Sequence, residues 1–131
     1  MTAGRSVWIV VLNWNGLADT LACLESLREL QYAERRVVVV DNGSTDGSVD
    51  ALRSASSRLG IEIIETGKNL GYAGGNNLGI RYALDRGADF VLILNNDTSV
   101  DPMLLDELVG AAQQHPAAGC FGPWIFYMQD R

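Results

Sequence analysis

The sequence predicts an α/β fold: a mostly parallel open sheet with helices on both faces. Short runs of β-branched and apolar residues alternate with segments in which apolar residues recur at helical spacing. The first two runs, residues 7–12 and 37–40, are apolar throughout, which is typical of strands covered on both faces. Strands that alternate with helices favour right-handed crossovers and a parallel sheet, here as a single domain over residues 1–131.

The predicted elements follow in order along the chain. The strand-like runs are residues 7–12, 37–40, 61–64, 90–94 and a final run at 120–128. The helical segments are residues 17–30, a second helix marked by Val49, Leu52 and Leu59, residues 76–86, and a helix from Asp101 to about His115. Asp101 followed by Pro102 is a typical helix start, a capping residue before a proline at the first helical position. His115, the only histidine, is expected at the end of that helix and not as a catalytic base.

Charge and hydropathy exclude two classes of protein. The formal net charge is −6, Lys68 is the only lysine, and the arginines are scattered along predicted helix faces. A nucleic-acid partner needs a clustered basic surface, so none is expected. No apolar run approaches the roughly 20 residues of a membrane span, and residues 1–6 contain no apolar signal core. We expect a cytoplasmic domain, or one peripheral at the inner face of the membrane.

The two cysteines and the chain end lead to two further expectations. Cys23 and Cys120 are far apart, so both are expected to be buried, reduced thiols. The aromatic run at 124–128 is followed at once by the last three residues, and such a run needs something to pack against. Either the chain is the front portion of a longer protein, which we favour, or self-association or a partner subunit covers the run.

Polar, glycine-rich loops follow all four of the first predicted strands. They are residues 13–16, 41–47, 67–79 and 95–98. Each alone is typical of an ordinary turn, and Asp46 or Ser48 is explained as well by a helix cap. In an open α/β sheet, however, ligands bind beyond the carboxyl ends of the strands, where all four loops should meet. The set therefore indicates a binding site.

The residue types in these loops suit a nucleoside diphosphate. Asp41 can accept hydrogen bonds from a base or a ribose, and the glycine-rich third loop opens a helix whose N-terminus favours anions. Asp97 and Asn95 supply hard oxygen ligands for Mg²⁺ or Mn²⁺. The P-loop, the G-x-G-x-x-G fingerprint and the G-x-S-x-G elbow are all missing, which counts against an NTPase, a dinucleotide dehydrogenase and a hydrolase.

The ordered set of loops resembles the inverting glycosyltransferases of family 2, which have the A-type fold, and most of all their rhamnosyltransferase-like members. The resemblance extends from Val7 to Trp124. The matching residues are Trp14 and Asn15 (the aromatic–Asn pair), Asp41 (the acidic contact to base or ribose), residues 42–46 (the Asp-Gly-Ser-Thr-Asp segment), Asn69, Gly71, Gly75, Asn77 and Gly79 (the Asn-x-Gly loop), and residues 95–97 (the D-x-D motif).

The resemblance implies a set of binding residues. Those expected to bind a nucleotide sugar are Asn13, Trp14, Asn15, Asp41, Asn42, Gly43, Ser44, Asp46, Asn69, Gly71, Gly75, Asn76, Asn77, Asn95 and Asn96. Asp97 and Asn95 are the expected metal ligands. Three positions depart from the family: Asn42 replaces its usual second Asp, Asn95 replaces the first Asp of D-x-D, and Asn76 replaces an arginine that holds the diphosphate in many members. The phosphates should then depend more on metal and backbone.

The implied reaction moves a sugar from a UDP-, GDP- or dTDP-linked donor to a saccharide or lipid-linked acceptor, with inversion, in the synthesis of cell-surface polysaccharide. Family members carry the carboxylate that deprotonates the acceptor far downstream of the metal motif, whereas this chain ends 34 residues after Asp97. We therefore expect the chain to bind donor without transferring it.

Three alternatives stay open. A non-catalytic nucleotide-sugar-binding module would have the same loops. A nucleotidyltransferase is disfavoured, because residues 13–16 lack its glycine-rich, basic loop. In an interaction domain, the polar loops would be turns only.

Overall fold

The computed structural model describes residues 4–128 as alternating strands and helices. The strands are β1 (Val7–Asn13), β2 (Arg35–Asp41), β3 (Ile61–Glu65) and β4 (Phe90–Asn95), and the helices are α1 (Leu17–Arg28), α2 (Ser48–Leu59), α3 (Gly71–Asp85) and α4 (Leu104–Gln114). The strands form one parallel sheet in the order β3-β2-β1-β4. The predicted fold class is confirmed.

The strand register places the carboxyl ends side by side. Asn13 pairs with Asp41, Leu12 with Asn95, and Asp41 with Glu65. Because all four strands are parallel, the loops that follow them leave from the same edge of the sheet.

Helices cover both faces of the sheet. On one face α1, α2 and α4 bury Leu24, Leu52 and Leu105 against the sheet in the larger apolar cluster. On the other face α3 packs Ala83 against a cluster that includes Trp8. These buried apolar side chains hold the carboxyl edge in place without contributing polar groups to it.

Helix α3 begins at Gly71, five residues before the predicted start at Asn76. The glycines in the first turn of α3 predicted a loop, but in the structure they let the helix lie close to the sheet. A Cβ on Gly79 would lie 2.4 Å from Val10 Cγ1, and one on Gly75 would lie 2.4 Å from Leu12 Cδ1. Packing against β1 therefore outweighs the low helix propensity of glycine.

Helix α4 begins later than predicted. The Asp101 side chain accepts a hydrogen bond from the Met103 N–H (2.8 Å), so Asp101 and Pro102 form a turn before the helix starts at Leu104. At the other end, the helix finishes at Gln114, and His115 follows as its C-cap, which confirms the expected position of the histidine.

The predicted fifth strand is wrong. Residues 120–127 form neither helix nor strand and pair with none of the described strands. Their apolar side chains are exposed, Trp124 by 89% and Ile125 by 87%. An apolar run becomes a strand only where a neighbouring strand offers its backbone hydrogen-bonding groups. Within residues 4–128, no helix is both long enough and apolar enough to cross a bilayer.

The two cysteines differ in exposure. Cys23 is buried in α1, as predicted, but Cys120 is exposed, so that half of the prediction is wrong. Cys120 lies in the same run that fails to form a strand, and for that reason nothing covers it within the described residues.

We expect Cys120 to react rapidly with a thiol reagent in the native protein, and Cys23 only after unfolding. Burial raises the pKa of the Cys23 thiol, so that even less of the reactive thiolate forms at neutral pH. Labelling stoichiometry before and after addition of denaturant measures this difference. A Cys120→Ser variant should have no fast-reacting thiol; two fast thiols in the native wild type would contradict the buried position of Cys23.

Candidate functional site

A buried carboxylate lies at the ends of β1 and β2. Asp41 is 2% exposed and Asn13 is fully buried. Asn13 Nδ2 donates to Asp41 Oδ1 (2.9 Å), and the Ser44 N–H donates to Asp41 Oδ2 (3.0 Å). A carboxylate has about four acceptor positions. Asp41 is thus oriented by protein donors and still has acceptor capacity for a ligand.

Hydrogen bonds join this carboxylate to the loop that follows β4. Thr20 Oγ1 donates to Asn13 Oδ1 (2.6 Å) and accepts from Asn96 Nδ2 (3.0 Å). The chain Asp41–Asn13–Thr20–Asn96 therefore connects the ends of β2, β1 and β4 through α1. It places Asp41 and the loop that contains Asp97 at the same edge of the sheet, as predicted. Thr20 was not predicted, because a threonine within the apolar pattern of a helix has no distinguishing signal.

The loop after β1 is held by the loop after β2. Ser44 Oγ accepts from the Asn15 N–H (2.9 Å), and Asn15 Oδ1 accepts from the Thr45 N–H (2.7 Å). Asn15 has a φ of +49°, in the left-handed region that asparagine tolerates better than most residues. Trp14 lies in this turn and is 54% exposed. Its ring is available at the carboxyl edge for stacking on a ligand.

Asn42 connects the second loop to the third. It is 2% exposed, and its Nδ2 donates to Asn69 Oδ1 and to the Gly71 carbonyl, both at 3.1 Å. Its Oδ1 accepts from the Leu70 N–H (3.0 Å). The structure therefore gives Asn42 a positioning role for the loop that opens α3.

Gly43 and Asp46 also have structural roles. A Cβ on Gly43 would lie 2.7 Å from the Cα of Lys68, and its φ is +83°, so no other residue fits there without strain. Asp46 accepts from the Ser48 N–H (3.0 Å) at the start of α2, and hydrogen bonds from Ser48 lower the pKa of Asp46. Asp46 therefore satisfies a backbone N–H of the first turn of α2, but the N-cap residue is Gly47, so neither Asp46 nor Ser48 is the cap itself.

The start of α3 reaches the end of β4 through Tyr72. The Tyr72 hydroxyl donates to Asn95 Oδ1 (3.2 Å), and its carbonyl accepts from Asn76 Nδ2 (3.0 Å). The Tyr72 ring is 62% exposed. Asn76 is buried, and its Oδ1 has no hydrogen-bond partner among the described residues. Sequence reasoning missed Tyr72, although an aromatic residue in a glycine-rich loop is a recognisable signal.

The predicted metal ligands are Asn95, the last residue of β4, and Asp97 in the loop that follows, and both are exposed. Within residues 4–128, no three His, Cys, Asp or Glu side chains are grouped closely enough to form a metal centre. One carboxylate and a few amide oxygens are too few ligands for a metal site made of protein groups alone. The set does fit a Mg²⁺- or Mn²⁺-like ion that takes its remaining ligands from phosphate oxygens and water.

Known proteins that resemble this chain are glycosyltransferases. The family model "Glycosyl transferase family 2" matches residues 7–131. The chain is 36% identical over 110 residues to the N-acetylglucosaminyl-diphospho-decaprenol L-rhamnosyltransferase of Mycobacterium tuberculosis, an alignment that covers 76% of this chain and 35% of that protein. It is also 36% identical over 101 residues to the low-salt glycan biosynthesis hexosyltransferase Agl10 of Haloferax volcanii, covering 76% of this chain and 30% of that protein.

A solved structure has the same arrangement of strands and helices. The mannosyltransferase PcManGT from Pyrobaculum calidifontis, in complex with GDP-Man and Mn²⁺, superimposes with a TM-score of 0.76 at 26% identity, over 85% of this chain and 33% of that chain. This chain thus spans about a third of the length of the proteins that it matches. It belongs to glycosyl transferase family 2, and its fold is that of the A-type glycosyltransferases.

Proposed function

We propose that this chain binds the nucleotide-diphosphate sugar donor of a metal-dependent, inverting glycosyltransferase. The observation that carries the proposal is the hydrogen-bonded chain Asp41–Asn13–Thr20–Asn96, which holds three loops together at one edge of the sheet. A site built from buried, mutually satisfied polar groups is preorganised and loses little entropy when a ligand binds.

The donor is expected to lie across the carboxyl edge. Asp41 accepts hydrogen bonds from the base or ribose, and the half-exposed Trp14 ring stacks on the nucleoside. Helix α3 begins at Gly71, whose N–H donates to Asn69 Oδ1 (2.8 Å), and the following N–H groups of its first turn, which have no partner within the helix, attract the diphosphate. A donor linked to UDP, GDP or dTDP fits these contacts, and the GDP-Man complex of the mannosyltransferase from Pyrobaculum calidifontis supports the assignment.

Asp97 and Asn95 are the proposed cation ligands, together with oxygens of the diphosphate. When bound there, Mg²⁺ or Mn²⁺ supplies positive charge that stabilises the diphosphate as a leaving group. Asn95 Oδ1 accepts from the Tyr72 hydroxyl and has a second lone pair for a cation. The Mn²⁺ in the mannosyltransferase complex supports this part of the proposal.

Transfer itself needs residues outside this chain. In the proposed reaction, an acceptor hydroxyl attacks the anomeric carbon from the face opposite the diphosphate, which inverts the configuration, and a carboxylate downstream of Arg131 takes the hydroxyl proton. Because the chain spans about a third of its relatives, we propose that it binds donor but does not transfer sugar by itself.

The remaining parts of the proposal concern the whole protein. Its acceptor is a saccharide or a lipid-linked saccharide for a cell-surface polysaccharide, and it works in the cytoplasm or at the inner face of the membrane. The name of the mycobacterial relative, with its diphospho-decaprenol acceptor, supports a lipid-linked acceptor. The exposed run at 124–128 supports self-association or contact with another part of the enzyme.

Calorimetric titration with UDP-, GDP- and dTDP-sugars, each with and without Mn²⁺, tests the proposal. We expect one nucleotide series to bind, and to bind more tightly with Mn²⁺. No binding across the panel would contradict donor binding and favour an interaction domain. Sugar transfer to an added acceptor by this chain alone would show that the catalytic base lies within it.

A further inference from the structure

A cavity lies at the amino edge of the sheet, opposite the edge that holds Asp41. Its volume is about 380 Å³, within the range of roughly 300–1,000 Å³ found for small-molecule sites. It is enclosed by the C-terminal parts of α1 and α2 and by the first residues of β2 and β3. None of the residues predicted to bind the donor lines it.

Arginines dominate the rim of this cavity. The eleven lining residues include four arginines and no acidic residue; the arginines are Arg28, Arg35, Arg36 and Arg58. The chain has nine arginines and a net charge of −6, so nearly half of its arginines surround one cavity of an acidic protein. Arg28 ends α1 and Arg35 and Arg36 begin β2, whereas Arg58 is brought beside them by the packing of α2.

Two of these arginines are held together by one carboxylate. Glu25 Oε2 accepts from Arg28 (3.1 Å), and Glu25 Oε1 accepts from Arg58. These hydrogen bonds, from Arg58 first, lower the pKa of Glu25, so it stays ionised at neutral pH. A guanidinium has five N–H donors, and most of those on Arg28 and Arg58 are not used by Glu25. Glu25 therefore fixes two guanidinium groups close together and leaves a net positive charge.

The other two arginines, Arg35 and Arg36, interact mainly with backbone carbonyls and an aromatic ring. Arg35 donates to the carbonyls of Tyr32 (2.6 Å) and Arg28 (3.3 Å), which offsets the negative end of the α1 dipole. Arg36 points to the other face of the sheet, where its guanidinium lies 5.8 Å from the centroid of the Trp8 ring and 4.0 Å from Glu62, away from Arg28 and Arg58. On the cavity side, the guanidinium groups of Arg28, Arg35 and Arg58 have one carboxylate partner among the described residues, Glu25, so a positive excess remains at the rim.

The floor of the cavity is apolar. It is formed by Leu24, Leu27, Val37, Leu59 and Ile61, each at most 8% exposed. An arginine rim matches a phosphate group, which guanidinium forks bind in a bidentate manner. An apolar floor beneath it matches a short hydrocarbon part of the same ligand.

We propose that this cavity binds a phosphate group attached to a short apolar moiety. Arg28 and Arg58 bind the phosphate, Arg35 adds positive charge beside them, and the apolar floor receives the rest of the ligand. The site is distinct from the carboxyl edge and does not depend on the proposed donor site. Its phosphate belongs either to the headgroup of an anionic lipid or to a soluble phosphorylated compound.

Amide NMR spectra during titration with octyl phosphate and with inorganic phosphate test this proposal. Chelator is present throughout, so that no divalent cation supports binding at the donor site. We expect octyl phosphate to shift the signals of Arg58, Gly60 and Ile61, and inorganic phosphate to shift the same signals at higher concentration. Arg58→Gln should weaken binding about tenfold, the effect of losing one charge-assisted hydrogen bond.

Arg81→Gln is the matched control, because Arg81 is an exposed arginine on α3 and the charge change is the same. Its binding should equal that of the wild type. The proposal would be overturned if Arg58→Gln and Arg81→Gln lost binding equally. It would also be overturned if the shifts were confined to the loops around Asp41 and Gly71, or if no saturable shift occurred. Arg28→Gln, on the other helix, should reproduce the loss seen with Arg58→Gln.

Sedimentation with vesicles identifies the source of the phosphate. One set is phosphatidylcholine alone, and the other is equal parts of phosphatidylcholine and phosphatidic acid. Binding only to the second set, lost in Arg58→Gln and kept in Arg81→Gln, supports a lipid headgroup. Arginine-dependent binding of octyl phosphate without vesicle binding supports a soluble ligand. If both variants reduce vesicle binding equally, the binding reflects general electrostatic attraction. That result would overturn both the lipid assignment and the proposed site.

Discussion

Replacing Asp97 with alanine should abolish the Mn²⁺-dependent part of donor affinity and leave the fold intact. Asp97 is the only carboxylate proposed to bind the cation, and it is exposed on the loop after β4, where its loss creates no cavity. Changes even to groups that only support a metal ligand weaken metal binding by about 10–100-fold. We expect a loss of at least about a hundredfold for the ligand itself, measured by calorimetry with and without Mn²⁺.

Asp85→Ala serves as the control for this substitution. Asp85 is an exposed carboxylate at the far end of α3, so its removal changes the net charge equally without touching the carboxyl edge. Donor affinity of this variant should match the wild type. If Asp97→Ala bound donor with the same Mn²⁺ dependence as the wild type, the cation site would have to lie elsewhere.

Replacing Asn13 with aspartate should destabilise the protein strongly and weaken donor binding. The substitution keeps the shape of the side chain but replaces the Nδ2 donor, 2.9 Å from Asp41 Oδ1, with a carboxylate oxygen. Two buried carboxylates then face each other without a hydrogen between them. We expect the free energy of unfolding to fall by about 2–4 kcal/mol at neutral pH. Denaturant titration measures the change.

The pH dependence of this variant has a definite sign. Two carboxylates that share a buried site bind a proton more readily when folded than when unfolded. The variant should therefore regain stability as the pH falls and the pair takes up a proton. Asn77→Asp is the control, because Asn77 is exposed on α3 and the chemical change is identical. It should change stability by no more than about 0.5 kcal/mol. A similarly small effect at Asn13 would contradict the buried network.

Much of the candidate site was predictable because its residues follow strands directly. Asp41, Asn13 and Asn95 are the last residues of β2, β1 and β4, so any parallel sheet made from these runs places them at one edge. Thr20 and Tyr72 were not predictable in the same way. They join the site from helices, and only the packing of α1 and α3 against the sheet decides which side chains reach the strand ends.

The errors in the predicted elements have the same cause, because a local sequence pattern does not show which elements pack against each other. The start of α3 was missed because glycine opposes a helix locally, whereas the contact of Gly79 with Val10 favours it in the folded protein. The final run was predicted as a strand from its apolar residues alone. Whether such a run becomes a strand depends on a partner, and none of the described strands pairs with it.

The sequence by itself determined the fold class, the parallel arrangement and the edge at which the polar loops meet. These follow from local periodicity and from the handedness of strand–helix–strand connections, which do not depend on the exact register. Only the tertiary structure decided which polar groups satisfy each other and that Arg58 of α2 lies beside Arg28 of α1 at one cavity. Contacts between residues distant in sequence depend on strand order and helix packing, and no local pattern encodes them.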